Sequence, residues 1–172
     1  MNYQLIQSLQ VANTECIVLG FCTDSQFGKQ LQGCSQEFIT QVSQLSKKLQ
    51  EKSDWCWQTE VDKPSILLFH CGMENEFNAD ALSQCLIEIT PLLIKQKVQS
   101  VQLALPPLVE HSPDWQLKQM LLSIDGQCYK FNDFKTKNKK NITLNTVQFC
   151  LTEATLNALN VAKATAEGMR LT

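Results

Sequence analysis

The run Ser65-Ile66-Leu67-Leu68-Phe69-His70-Cys71-Gly72 constrains this chain more than any other stretch. Its four consecutive large apolar residues, Ile66 to Phe69, stand between Pro64 and Gly72. That length is too short for a buried helix and suits a strand covered on both faces. A strand of this kind needs apolar layers above and below its sheet, so the run is placed at the centre of the fold. It also holds one of two histidines, beside a cysteine, which makes it the first place to look for chemistry.

The remaining segments supply a sheet and its covering helices. Tyr3 to Leu9 alternates weakly, and Glu15 to Phe21 contains the strong apolar run Cys16-Ile17-Val18-Leu19-Gly20, so two strands open the fold. From Ser35 to Gln50, Phe38, Val42, Leu45 and Leu49 form one helical stripe. Lys47, Lys48 and Lys52 suit the negative pole of that helix. Asp54 to Val61 alternates Trp55, Trp57, Thr59 and Val61 against Cys56, Gln58 and Glu60, as a strand with one drier face does, and the turn Asp62-Lys63-Pro64 joins it to the opening run as a hairpin.

Asn78 is an N-cap for a helix carrying Leu82, Cys85, Leu86, Ile89 and Leu93, which Pro91 is expected to kink or shorten. Gln99 to Leu105 reads as a strand ended by Pro106-Pro107. Ser112-Pro113 opens a helix whose Leu117, Leu121, Ile124, Cys128 and Phe131 run through Gly126 to about Asn132. Phe134 to Asn141 is a lysine-rich loop, and Thr143 to Leu151 is a last strand with Val147, Phe149 and Leu151 on one face. Thr152 is the expected cap of a final helix with Leu156, Leu159, Ala162, Ala166 and Met169 on one face, running to Thr172 without a stop signal. Strands alternating with helices predict a three-layer α/β/α domain, a mixed β-sheet with helices on both faces.

At 172 residues one core suffices without disulfides or metal as staples. The net charge of −2 advertises no polyanionic partner for the molecule as a whole. The first ten residues lack Lys, Arg and an apolar run, and no segment approaches the roughly 18 apolar residues of a membrane span, so a cytoplasmic chain without a leader or membrane contact is expected. Cys16, Cys22, Cys34, Cys56, Cys71, Cys85, Cys128 and Cys150 are scattered, with no Cys-x-x-Cys pair. They read as reduced thiols acting as small hydrophobes, which leaves the sequon Asn141-Ile142-Thr143 without meaning.

Candidate chemistry is thin. His70 and Cys71 are adjacent on a strand, so their side chains point to opposite faces and cannot share one ion. His111 sits on a loop, and Glu74 with Glu76 reads as a solvated pair entering a helix. The six glycines form no phosphate-binding pattern. Lys130, Lys135, Lys137, Lys139 and Lys140 make the one dense basic patch, with Phe134 inside it. Lys135, Lys137, Lys139 and Lys140 are the candidate polyanion contact, set against a plain solvated loop.

Four segments in order resemble the N-terminal domain of the leucyl (cytosol) aminopeptidase family. They are Glu15 to Gly20, Ile66 to Gly72, Ile124 to Lys135, and Ala162 to Met169. The third is similar to the family's Gly-x-x-x-Tyr-x-Phe-Asp-x-x-Lys segment, with Asn132 in place of the aspartate. In the fourth, Ala166-Glu167-Gly168 resembles the end of the helix leading into the catalytic domain. The resemblance implies a macro-domain-like fold over residues 1–151 and the start of an inter-domain helix over 152–172. It further implies a cytoplasmic two-metal peptidase, using manganese or zinc, whose catalytic half assembles as a hexamer and releases N-terminal residues from peptides. The signature carrying the metal ligands is absent from this sequence, so no catalytic residue carries over and the chain is expected to be inert by itself. The alternative is a macro-like binding module for ADP-ribose, a related nucleotide or nucleic acid. Against it, neither the Asp-Ala-Ile-Val-Asn-Ala strand nor the glycine-rich phosphate loop of binding macro domains is found.

Overall fold

The two apolar runs become neighbouring parallel strands in the computed structural model, which describes residues 1–25, 27–133 and 143–171. In chain order the elements are β1 (Asn2–Ile6), β2 (Cys16–Phe21), α1 (Gln36–Ser46), β3 (Trp55–Gln58) and β4 (Ser65–His70), followed by α2 (Ala79–Lys95), β5 (Ser100–Ala104), α3 (Pro113–Asp133), β6 (Thr146–Cys150) and α4 (Leu156–Arg170). The strands form one sheet in the order β1-β6-β5-β2-β4-β3. All neighbours are parallel except β3, which runs antiparallel to β4 and completes the expected hairpin. The opening run is therefore one strand in from an edge, while β5 and β2 occupy the middle.

Alternation along each strand sends successive side chains into two separate apolar layers. Leu67 and Phe69 of β4, with Cys16 and Val18 of β2, face the larger layer, which holds α2, α3 and α4. Ile66 and Leu68, with Ile17 and Leu19, face a smaller layer built on Phe38 and Val42 of α1. Ile66 to Phe69 are between 0% and 3% exposed, as a strand covered on both faces requires. The architecture is the expected α/β sandwich, with the α-helices of the described residues divided three on one face and one on the other.

Helix starts follow local chemistry. The side chains of Ser35, Asn78 and Thr155 accept the amide hydrogens of Phe38, Ala81 and Ala158 at the N-termini of α1, α2 and α4. The cap of α4 is thus Thr155 rather than Thr152. Thr155 has a further anchor, because Asp114 of α3 accepts both its amide and its hydroxyl hydrogen. Of the stripe expected on α4, Leu159, Ala162 and Ala166 are buried, whereas Leu156 and Met169 are exposed.

Two further expectations are adjusted. Pro91 does not shorten α2, which continues through it to Lys95. Its ring is tolerated because helix packing outweighs one lost hydrogen bond, and Ile89 and Leu93 on either side are both 1% exposed. Strand β3 has no drier face: Trp55 is exposed, Trp57 leans on the larger layer and Cys56 on the smaller. An edge strand shields each face only partly, so alternation there does not sort wet from dry. Among the described residues no helix is long and apolar enough to cross a membrane.

Candidate functional site

The strand order opens a crevice at one end of the sheet. From β2 the chain leaves through α1 and reaches β4 on one side, while from the adjacent β5 it leaves through α3 and reaches β6 on the other. Because α1 and α3 lie on opposite faces, the loops after β2 and β5 diverge, and the gap between them is where open α/β sheets place ligands. A hollow of about 450 Å³ occupies that gap, walled by the loops after β2, β5 and β6.

Its floor is apolar and close-packed, and Phe27, Leu105, Leu108 and Leu151 line it. Gly20 at the end of β2 allows this packing, because a Cβ there would stand 2.7 Å from Leu105 Cδ2, 2.9 Å from Cys71 Sγ and 3.0 Å from Pro106 Cδ. The wall after β5 is braced by Gln116, itself 1% exposed. Its Nε2 donates to the Pro106 carbonyl at 2.9 Å and its Oε1 accepts the Leu108 amide at 3.0 Å. Pro106, Pro107 and Pro113 stiffen the same wall and carry no N–H. His111 stacks on Trp115 with ring centroids 3.8 Å apart.

A second hollow of about 460 Å³ adjoins the first and shares Glu74, Leu108 and His111 with it. Across the two, the charged lining residues are Asp24, Glu74, Glu110 and Glu153 against Lys29. The Asp24 carboxylate accepts the Glu74 amide at 2.9 Å, which ties the two acidic loops together. The crevice is thus an apolar slot with a negative rim.

The sequence candidates lie mostly outside it. His70 and Cys71 do point to opposite faces. His70 Nε2 is hydrogen-bonded to Thr23 Oγ1 at 2.9 Å and its ring meets Phe21 edge-on, while its Nδ1 has no partner among the described residues. Cys71 lies in the larger layer with its Sγ 3.9 Å from Cys85 Sγ, and the neighbouring thiol and burial push its proton affinity well up. All eight cysteines are free, and six are buried. Burial raises Cys16 to about 12 and Cys22, Cys128 and Cys150 to about 11, the behaviour of inert core thiols. Glu74 and His111 do reach the crevice, on loops whose sequence reads as plain solvated surface. Lys135, Lys137, Lys139 and Lys140 lie outside the described residues.

Among the described residues no three His, Cys, Asp or Glu side chains are grouped to hold a metal ion, so they do not fit the two-metal centre that the resemblance implies for a peptidase. A second polar cluster is structural. Asp125 of α3, 5% exposed, accepts the Tyr3 hydroxyl of β1 at 2.6 Å and the Nε hydrogen of Arg170 at 2.9 Å, and pairs with Arg170 Nη2. Burial and this carboxylate hold the Tyr3 phenol protonated far above the usual range. The hydrogen bond from Arg170 to Asp125 raises the guanidinium further. One carboxylate therefore joins α4, α3 and β1. The sequence gives no sign of it, since the partners are 122 and 45 positions away.

Comparison with known proteins gives a consistent picture. Residues 26–138 match the model of the cytosol aminopeptidase family, N-terminal domain. A probable cytosol aminopeptidase of Legionella pneumophila (strain Paris) is 37% identical over 169 residues, which is 98% of this chain and 35% of that protein. The chain therefore spans about a third of the length of that relative. Among solved structures, a mutant of tomato leucine aminopeptidase superposes with a TM-score of 0.68 at 12% identity, over 97% of this chain and 35% of that one. An Oceanobacillus iheyensis macrodomain mutant gives 0.61 at 12% identity, over 94% of this chain and 89% of that one. At such identities the structural likeness is one of fold.

Proposed function

This chain belongs to the cytosol aminopeptidase family, as its N-terminal domain, and we propose that it serves a longer peptidase as a non-catalytic support domain. The carrying observation is the Legionella match, which takes in 98% of this chain and only 35% of the relative. In this reading residues 1–151 are the macro-like body, residues 152–172 start the inter-domain helix, and peptide hydrolysis belongs to sequence beyond them. The packing of α4 supports that division of labour. Its buried face lies on α3, and Arg170 anchors its last turn to Asp125, so the helix is a rigid extension of the body.

The intact cytoplasmic enzyme would release N-terminal residues from peptides. Its two divalent ions, manganese or zinc, would activate a water and polarise the scissile carbonyl, held by the C-terminal catalytic domain. The N-terminal domain would shape access to that centre and the packing of a hexamer. The test is hydrolysis of leucine anilide with Mn²⁺ or Zn²⁺. Residues 1–172 alone should be inactive, and the product of the longer reading frame should turn over. Activity in the short chain, or none in a folded longer product, would defeat the reading.

A further inference from the structure

Three thiols meet where β2 and β4 end. Cys71 follows β4, Cys22 follows the neighbouring parallel strand β2, and Cys85 lies in the second turn of α2. All three belong to the larger apolar layer, and none is more than 3% exposed. Two of them touch: the Cys85 thiol donates to the Cys71 sulfur at 3.9 Å, across 14 positions of sequence. Bonded sulfurs stand about 2 Å apart, so a closing movement of about 2 Å separates this contact from a disulfide. Gly72, with a φ of +92°, directly follows Cys71 and turns the chain out of the sheet. The segment it opens carries Glu74 to the crevice and returns Phe77 to the core. Cys71 and Cys85 bracket that segment.

We propose that Cys71 and Cys85 are a peroxide-responsive dithiol whose disulfide locks α2 to the end of β4. In the first step the thiolate of one cysteine attacks the O–O bond of a peroxide; its sulfur gains a hydroxyl as a sulfenic acid, and the second oxygen leaves as water. In the next step the sulfur of the other cysteine attacks the sulfenic sulfur. The S–S bond forms, and the hydroxyl leaves with the thiol proton as a second water. Two thiols give up two electrons in all, and the peroxide takes them. A peroxide suits the site because it is hardly larger than water, whereas a bulky disulfide is excluded from sulfurs that are 1% and 3% exposed. The Cys85 contact and burial hold Cys71 in its protonated form, and the thiolate is the nucleophile, so the first step is slow. The product is durable, because two sulfurs held in contact re-form a bond that opens. Such a lock answers sustained oxidation and closes the segment carrying Glu74 into a loop beside the crevice.

The experiment treats residues 1–172 with hydrogen peroxide, with the half-buried Cys34 and Cys56 replaced by serine to suppress links between chains. Remaining thiols are then alkylated under denaturing conditions, and the peptides are mapped by mass. The folded chain should lose the mass of two hydrogens and yield one linked pair, Cys71 with Cys85, which dithiothreitol separates. The rate of linking should rise about tenfold for each pH unit, as the thiolate fraction does below a thiol's pKa. The linked chain should melt roughly 5–10 °C higher than the reduced one, the gain expected for closing a loop of this length. Cys22→Ala should leave the link in place, while Cys85→Ala should abolish it and leave Cys71 carrying oxygen. A link from Cys71 to Cys22, oxygen added to Cys71 or Cys85 without a link, linking only in urea, or a linked chain that melts lower would each overturn the proposal. The mass map of the chain that keeps both Cys71 and Cys85 decides the matter even where the Cys85→Ala chain fails to fold.

Discussion

Replacing Asp125 by alanine should cost this fold more than any other single charged-residue substitution among the described residues. The carboxylate is 5% exposed and accepts from Tyr3 at 2.6 Å and from Arg170 at 2.9 Å. Its loss leaves the Tyr3 hydroxyl, on a residue 4% exposed, without its acceptor, a penalty of about 1–3 kcal/mol. The Arg170 side chain is 38% exposed and regains water, so losing the ion pair adds about 0.2–1 kcal/mol and no more. The sum is centred on about 2.5 kcal/mol, or about 5–10 °C in Tm for a chain of this size. Urea unfolding followed by tryptophan fluorescence measures it. The reasoning makes a sharper demand on the double variant. Tyr3→Phe removes the stranded hydroxyl, so Asp125→Ala should cost about 1–2 kcal/mol less in a chain already carrying Tyr3→Phe than in the parent chain. Additive costs, or an Asp125→Ala penalty below about 0.5 kcal/mol, would refute the account of the cluster as a buried junction of three elements.

Two other outcomes follow from packing and burial. Gly20→Ala would push a Cβ to within 3.0 Å of Leu105, Cys71 and Pro106, so it should destabilise by about 1–3 kcal/mol and shift the amides of the crevice floor; a thermal midpoint unchanged from the parent would show that the neighbours give way freely. Alkaline pH should weaken the fold, because Cys16, Cys22, Cys128 and Cys150 keep their protons to about 11 or 12 when folded and lose them near 9 when unfolded. The unfolded chain then binds fewer protons, so their contribution is full below pH 9 and falls by about 1.4 kcal/mol per thiol for each pH unit above it, until the folded values are reached. Urea midpoints at pH 8, 9 and 10 test this, and a flat profile between the last two contradicts it.

The layers were legible in the sequence because they depend on local periodicity. Ile66 to Phe69 and Cys16 to Leu19 announce strands buried on both faces, and the stripes of α1, α2 and α3 announce what covers them. Local signals failed where a tertiary partner decided the outcome. Thr152 is the cap the local sequence suggests, and Asp114, 41 positions away from Thr155, holds Thr155 in that role instead. Pro91 looks like a break until packing on both sides of it is known. The alternation of Trp55 and Trp57 loses its meaning at a sheet edge.

The crevice was illegible for a different reason. Its floor and rim come from four loops separated by tens of residues, and none holds a motif, so only the strand order brings Phe27, Leu108 and Leu151 together. Once that order is known, the loop composition becomes informative. Proline after β5 withdraws amide donors, Gln116 occupies the one at Leu108, and carboxylates after β2, β4, β5 and β6 set the sign of the field. The parallel sheet places a crevice wherever loops from adjacent strands diverge, and it is indifferent to what enters. Selection is made by the few donors and charges the loops leave unpaired. A macro-like fold in this chain is therefore no argument for a phosphate ligand.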